Sequence, residues 1–143
     1  MTSDDLATAI FGAWDGCISV LALLIAARGS HLPALQAAGV GCAVGGTFSM
    51  ATGQYEEMTG TTAQRLRLSL IMGVFTLLGG LLPAAWFLFA AKPVAYVGAL
   101  LAAWGLATLV WVLKKEGLVG AARTYALLVI TVVATVVVSL VVG

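Results

Sequence analysis

The chain has 143 residues, of which 62% are hydrophobic and 9% charged, with a formal net charge of +1. An ordinary soluble domain carries about 25% charged residues, so seven Lys and Arg with six Asp and Glu cannot cover a soluble fold of this size. That leaves an integral membrane protein, and it excludes a basic field for nucleic acid and a disulfide framework built on two cysteines.

A spanning helix needs about 20 mainly apolar residues, and the sequence predicts five. The first covers about Leu6 to Ala27. It follows Asp4 and Asp5, where a secretory signal would carry Lys or Arg. Asp15 is the one acidic residue well inside an apolar segment, about 14 Å past Leu6 at 1.5 Å per residue. A carboxylate at that depth costs about 2.5–3.5 kcal/mol on insertion scales and marks an ion or proton path by default. The plainer reading is an Asp that caps a broken helix or pairs with a neighbour, and Asp15-Gly16 invites such a break. Arg28-Gly29-Ser30-His31 with Pro33 ends this hairpin arm. A lone loop histidine such as His31 reads as polar surface.

The second segment covers about Leu32 to Tyr55. Gly41, Gly45, Ser49 and Gly53 recur every four residues and line one face with small side chains, which lets another backbone approach closely. Gly12 and Gly16 of the first segment answer them, so the stripe is expected against the Asp15 helix or against a second subunit. Met50 lies about 8 Å from the Tyr55 end, and Cys17 and Cys42 about 17 and 20 Å from the cytoplasmic ends of their helices. Asp15, Cys17, Cys42 and Met50 are thus expected in the inner half of one hairpin. Carboxylate with thioether or thiolate suits a borderline divalent transition metal better than Mg²⁺ or Ca²⁺; each sulfur residue alone reads as ordinary apolar packing. Glu56 and Glu57 stand at the mouth of this hairpin, either attracting cations or forming a solvated helix end.

After a polar stretch from Glu56 to Arg67, the third segment covers Leu68 to Ala91, the fourth Pro93 to about Leu113, and the fifth Leu118 to Gly143. Lys92-Pro93 and Lys114-Lys115-Glu116-Gly117 break the chain between them. Arg123 is close enough to the start of the fifth segment to snorkel to the interface. A transmembrane barrel would alternate apolar and polar residues; these runs are continuously apolar, so the fold class is all-α. No linker or repeat divides the chain, which reads as one domain. With the N-terminus cytoplasmic, Arg65, Arg67, Lys114, Lys115 and Arg123 fall inside and Arg28 and Lys92 outside, which sets that orientation. Phosphate loops, dinucleotide fingerprints and zinc-protease motifs are missing, and a single histidine leaves no Ser-His-Asp set; the chain does not read as an enzyme.

Three stretches carry a resemblance. Phe11-Gly12-Ala13-Trp14-Asp15-Gly16, the run Ala43 to Tyr55 with its Ser-Met-x-x-Gly-x-Tyr, and Leu78-Gly79-Gly80-Leu81-Leu82-Pro83 resemble, in that order, the first three helices of the vacuolar iron transporter family. The resemblance spans nearly the whole chain and agrees with five helices. It implies a homodimeric exporter that moves Fe²⁺, and often Mn²⁺, out of the cytosol in exchange for protons, with metal as cargo and no resident cofactor. It implies that Asp15 binds metal and takes up a proton, that Met50 is the soft ligand, and that the ion path lies at the dimer interface. The chain is similar to a short member: Glu56 to Arg67 stands where many members insert a cytoplasmic metal-binding domain. Gln54 and Cys42 stand where some members have glutamates.

The expected function is therefore proton-coupled export of a divalent transition metal from a bacterial plasma membrane. Two other readings compete. A non-transporting membrane scaffold or accessory subunit would account for the lost carboxylates. A small proton-coupled antiporter of organic cations would also use one first-helix carboxylate in a dimer.

Overall fold

The computed structural model describes residues 1–142. Five helices follow one another: α1 (Ser3–Ala26), α2 (Leu32–Glu57), α3 (Thr62–Phe89), α4 (Lys92–Lys114) and α5 (Leu118–Val142). Each is long and apolar enough to cross a membrane, and no strand occurs among the described residues. By length and composition this is an integral membrane protein. The short connections make successive helices antiparallel.

Local chemistry explains the ends. The Thr2 hydroxyl accepts from the Asp5 N–H and the Asp5 carboxylate accepts from the Thr2 N–H, a capping box that opens α1. Pro33 and Pro93 occupy the first turns of α2 and α4, where a missing N–H costs nothing. Lys115 closes α4 in the left-handed region, at φ 52°. Thr61 accepts from the Gln64 N–H and starts α3 at Thr62, ahead of the apolar run at Leu68. The polar stretch expected as a connection is therefore mostly helix, and only residues 58–61 turn the chain. The expected break at Asp15-Gly16 is also absent: α1 runs unbroken through it. Pro83 likewise lies inside α3 without ending it, as spanning helices tolerate.

Helix α3 is the centre of the bundle. Both α1 and α2 pack most extensively on it, and α4 packs on it less. Small residues set these approaches. A Cβ at Gly12 would stand 2.8 Å from the Met72 carbonyl oxygen, and one at Gly79 would stand 2.0 Å from the Ala13 carbonyl oxygen. On the α2 side, Ala43 lies against Gly80, and Thr47 and Ala51 lie against Gly73. Ala95, Ala99, Ala103 and Ala107 form a fully buried line on α4. The fifth helix is the outermost, touching α1 and α4.

Polar ties hold both ends. At one, Lys92 Nζ donates to the Arg28 and Ser30 carbonyls at 2.9 and 2.8 Å. There, too, Tyr96 donates to the Leu24 carbonyl, Gln36 to the Phe87 carbonyl, and Arg28 to Ser139. At the other end Arg67 pairs with Asp5. Arg65 donates twice to the Tyr55 carbonyl while its guanidinium lies 4.3 Å from the Tyr55 ring centroid, closing the α2–α3 turn.

Candidate functional site

Asp15 stands at the midpoint of α1, half-buried. Phe11 and Ser19, one turn to either side, are exposed, so the carboxylate belongs to the outward stripe of the helix. It forms no ion pair and accepts no hydrogen bond among the described residues.

Its level in the bundle is set by Thr76, fully buried in α3. A Cβ at Gly12 would stand 3.1 Å from the Thr76 hydroxyl, one at Gly16 2.1 Å from the Thr76 carbonyl oxygen, and one at Gly46 3.8 Å from the Thr76 methyl. The turn of α1 that carries Asp15 is therefore level with α2 between Ala43 and Gly46. Cys42, partly buried, stands at that level.

The glycine stripe of α2 faces away from the bundle. Gly39, Ala43, Thr47 and Ala51 make the inward contacts with α1 and α3. Gly41, Gly45, Ser49 and Gly53 follow two residues after each, about 200° around the helix. All four are exposed, and a Cβ at Gly41, Gly45 or Gly53 meets nothing within 4 Å. Within one chain the stripe does not meet Gly12 and Gly16. Those two glycines are buried against α3 instead, which corrects the expected pairing and removes them from any outward-facing interface. The physical reason is that α3 enters between α1 and α2 and takes the close approach for itself.

The expected cluster of sulfur ligands also divides. Cys17 follows Asp15 by two residues, again about 200° around the helix, and is fully buried among Val20, Leu21 and Leu24 in the core. It cannot face a site that Asp15 faces. Met50 lies about 12 Å along α2 from Cys42, toward the Glu56 end. Asp15 and Cys42 thus form one level and Met50 another. Among the described residues, no group of three His, Cys, Asp or Glu side chains gathers to hold a metal. Glu56 and Glu57 are exposed at the end of α2, on the side of the bundle that carries the Arg65 turn. His31 precedes α2, exposed, and its side chain caps nothing.

Such a site can hold a proton or share a cation, but one chain does not complete a coordination sphere. An unpartnered carboxylate on an outward stripe is costly in lipid unless it is neutralised or covered. Beside it, α2 offers backbone with no side chain in the way. Sequence reasoning missed Thr76. Its signal was present in Ser69, Gly73, Thr76, Gly80 and Ala84, a run of small residues every three or four positions on α3. A search of protein-family models, of curated proteins and of solved structures finds no match to this chain.

Proposed function

We propose that the protein is a homodimeric membrane transporter that exports Fe²⁺, and Mn²⁺ with it, from the cytosol in exchange for protons. The observation that carries this reading is Asp15: mid-helix, half-buried, unpaired, and level with a glycine-lined open face of α2. Two copies related by a two-fold axis would bring two Asp15 carboxylates and two Cys42 thiols to one interface. That supplies the negative charge and soft donors one chain lacks, a set suited to a borderline divalent transition metal. The motifs around Asp15 and Met50 resemble the vacuolar iron transporter family and support the same reading. Met50 would act at a separate level on the way to the Glu56 and Glu57 mouth.

The mechanism is competition. Asp15 binds either metal or a proton, because both neutralise the same carboxylate. Rocking of the two subunits exposes it to one side at a time. Excess Lys and Arg at the end bearing the N-terminus favours that end as cytosolic, in a bacterial plasma membrane.

The test is Fe²⁺ and Mn²⁺ flux into proteoliposomes under an imposed pH gradient, wild type beside Asp15→Asn. Flux should follow the gradient in the wild type and fall to the protein-free background in the variant, with the dimer intact in both. Undiminished flux through Asp15→Asn overturns the assignment. Absence of flux in a folded wild-type dimer favours a non-transporting scaffold instead.

A further inference from the structure

A crevice of about 400 Å³ opens between α1, α4 and α5 at the end of the bundle that carries the N-terminus. Its mouth holds Lys114, the last residue of α4, and Arg123, in the second turn of α5. Its walls are apolar, with Phe11 and Trp14 from α1, Val110 from α4 and Leu127 from α5. Trp14 precedes Asp15 by one residue, so the crevice is centred about 100° around α1 from the carboxylate and borders its stripe at Phe11.

Only one of the two charges at the mouth is matched within the protein. Arg123 contacts both carboxylate oxygens of Glu116 at 3.0 Å, yet it remains more than half exposed. Lys114 makes no ion pair among the described residues and is exposed. Two cations therefore face one partly committed carboxylate at the mouth of an apolar slot. A protein ligand would have to enter sideways from lipid. A membrane phospholipid has the matching order of polarity: its phosphate would stand at the level of the basic side chains and its chain along the apolar walls. Basic pockets between spanning helices select anionic headgroups by this charge match.

We propose that this crevice is a binding site for one anionic phospholipid, its phosphate held by Lys114 and Arg123 and its acyl chain laid against Phe11, Trp14, Val110 and Leu127. The lipid would cement α5, the outermost helix, to α1 and α4. The assignment is independent of metal transport.

Each basic side chain beside an anionic lipid surface is about a fivefold effect in affinity, so both together give about 25-fold. The test is retention of phosphatidylglycerol against phosphatidylcholine on the purified full chain, read by native mass spectrometry, with melting temperature in each lipid and in inorganic phosphate. Wild type should prefer phosphatidylglycerol about 25-fold. Lys114→Gln should lower that about fivefold, Lys114→Gln with Arg123→Gln should bring it to parity, and Lys115→Gln, outside the crevice, should leave it unchanged. Equal retention of both lipids by the wild type overturns the proposal, as does an undiminished preference in the double variant. An equal melting shift with inorganic phosphate alone also overturns it, because the site would then take the free ion. If the loss of the Glu116 contact unfolds the double variant, Lys114→Gln decides alone, since Lys114 has no ionic partner to lose.

Discussion

Gly16 stands against the backbone of Thr76: a Cβ at position 16 would lie 2.1 Å from the Thr76 carbonyl oxygen. A Cβ is fixed to its own backbone and the carbonyl to the other, so neither can swing aside; with Gly12 and Gly79, the bare position 16 lets the two helices touch. The turn that carries Asp15 is thereby packed directly on the α3 backbone.

Gly16→Ala should therefore destabilise the bundle by about 3 kcal/mol or more, at the upper end of overpacking costs. Gly41→Ala should be neutral or gain up to about 1 kcal/mol from helix propensity, because a Cβ there meets nothing within 4 Å. Thermal melting of the two variants in one detergent checks the contrast. Equal melting temperatures would remove the close approach from the account.

Gly45→Leu should leave each chain folded, since position 45 faces open space in the protomer. If a second copy covers the α2 stripe, the same substitution should split the dimer. Molar mass in detergent, compared with wild type at equal concentration, separates the two. A Gly45→Leu dimer as tight as the wild type would move the interface to another face.

The two cysteines should behave oppositely. A membrane-permeant maleimide should label Cys42, which is partly buried, and leave Cys17, fully buried, untouched in the folded protein. Cys17→Ser should cost about 1–3 kcal/mol by burying a hydroxyl in an apolar core. Cys42→Ser should stay within about 1 kcal/mol of wild type and, on the proposed transport reading, weaken Fe²⁺ flux relative to Mn²⁺. Rapid labelling of Cys17 in native protein would contradict the packing of α1.

Asp5 is buried while its partner Arg67 is more than half exposed. Arg67→Gln should leave the Asp5 carboxylate with only its Thr2 N–H bond, at 2.7 Å, and loosen the first turn of α1. Hydrogen exchange over residues 3–9 should speed up in that variant. Asp4→Asn should not change it, because Asp4 is exposed. Unchanged exchange in Arg67→Gln would mean that the capping box alone holds the turn.

Much of the bundle was readable along the chain. Pro33, Pro93 and the Lys114–Gly117 run mark real helix limits, because Pro and charge clusters act on the local backbone. The start of α3 was not readable from hydropathy: Thr62 to Arg67 is polar, and it is helical because Thr61 caps it. Asp15 stood out for its depth in an apolar run. Its company did not, because the neighbours of a helix face depend on which helix covers that face.

Length, hydropathy and turn chemistry determined that five helices exist, where most of them begin and end, and that one carboxylate lies mid-span. Helical spacing alone already separates Asp15 from Cys17 and the inward line of α2 from its glycine stripe. Which of those faces is inside was decided only by tertiary packing. In a soluble protein an apolar face must turn inward, so the pattern names the core. In lipid the outward face is apolar too, and close approach of small residues sets the contacts instead. That is why Gly12 and Gly16 found α3 rather than α2, and why the α2 stripe was left facing outward beside Asp15.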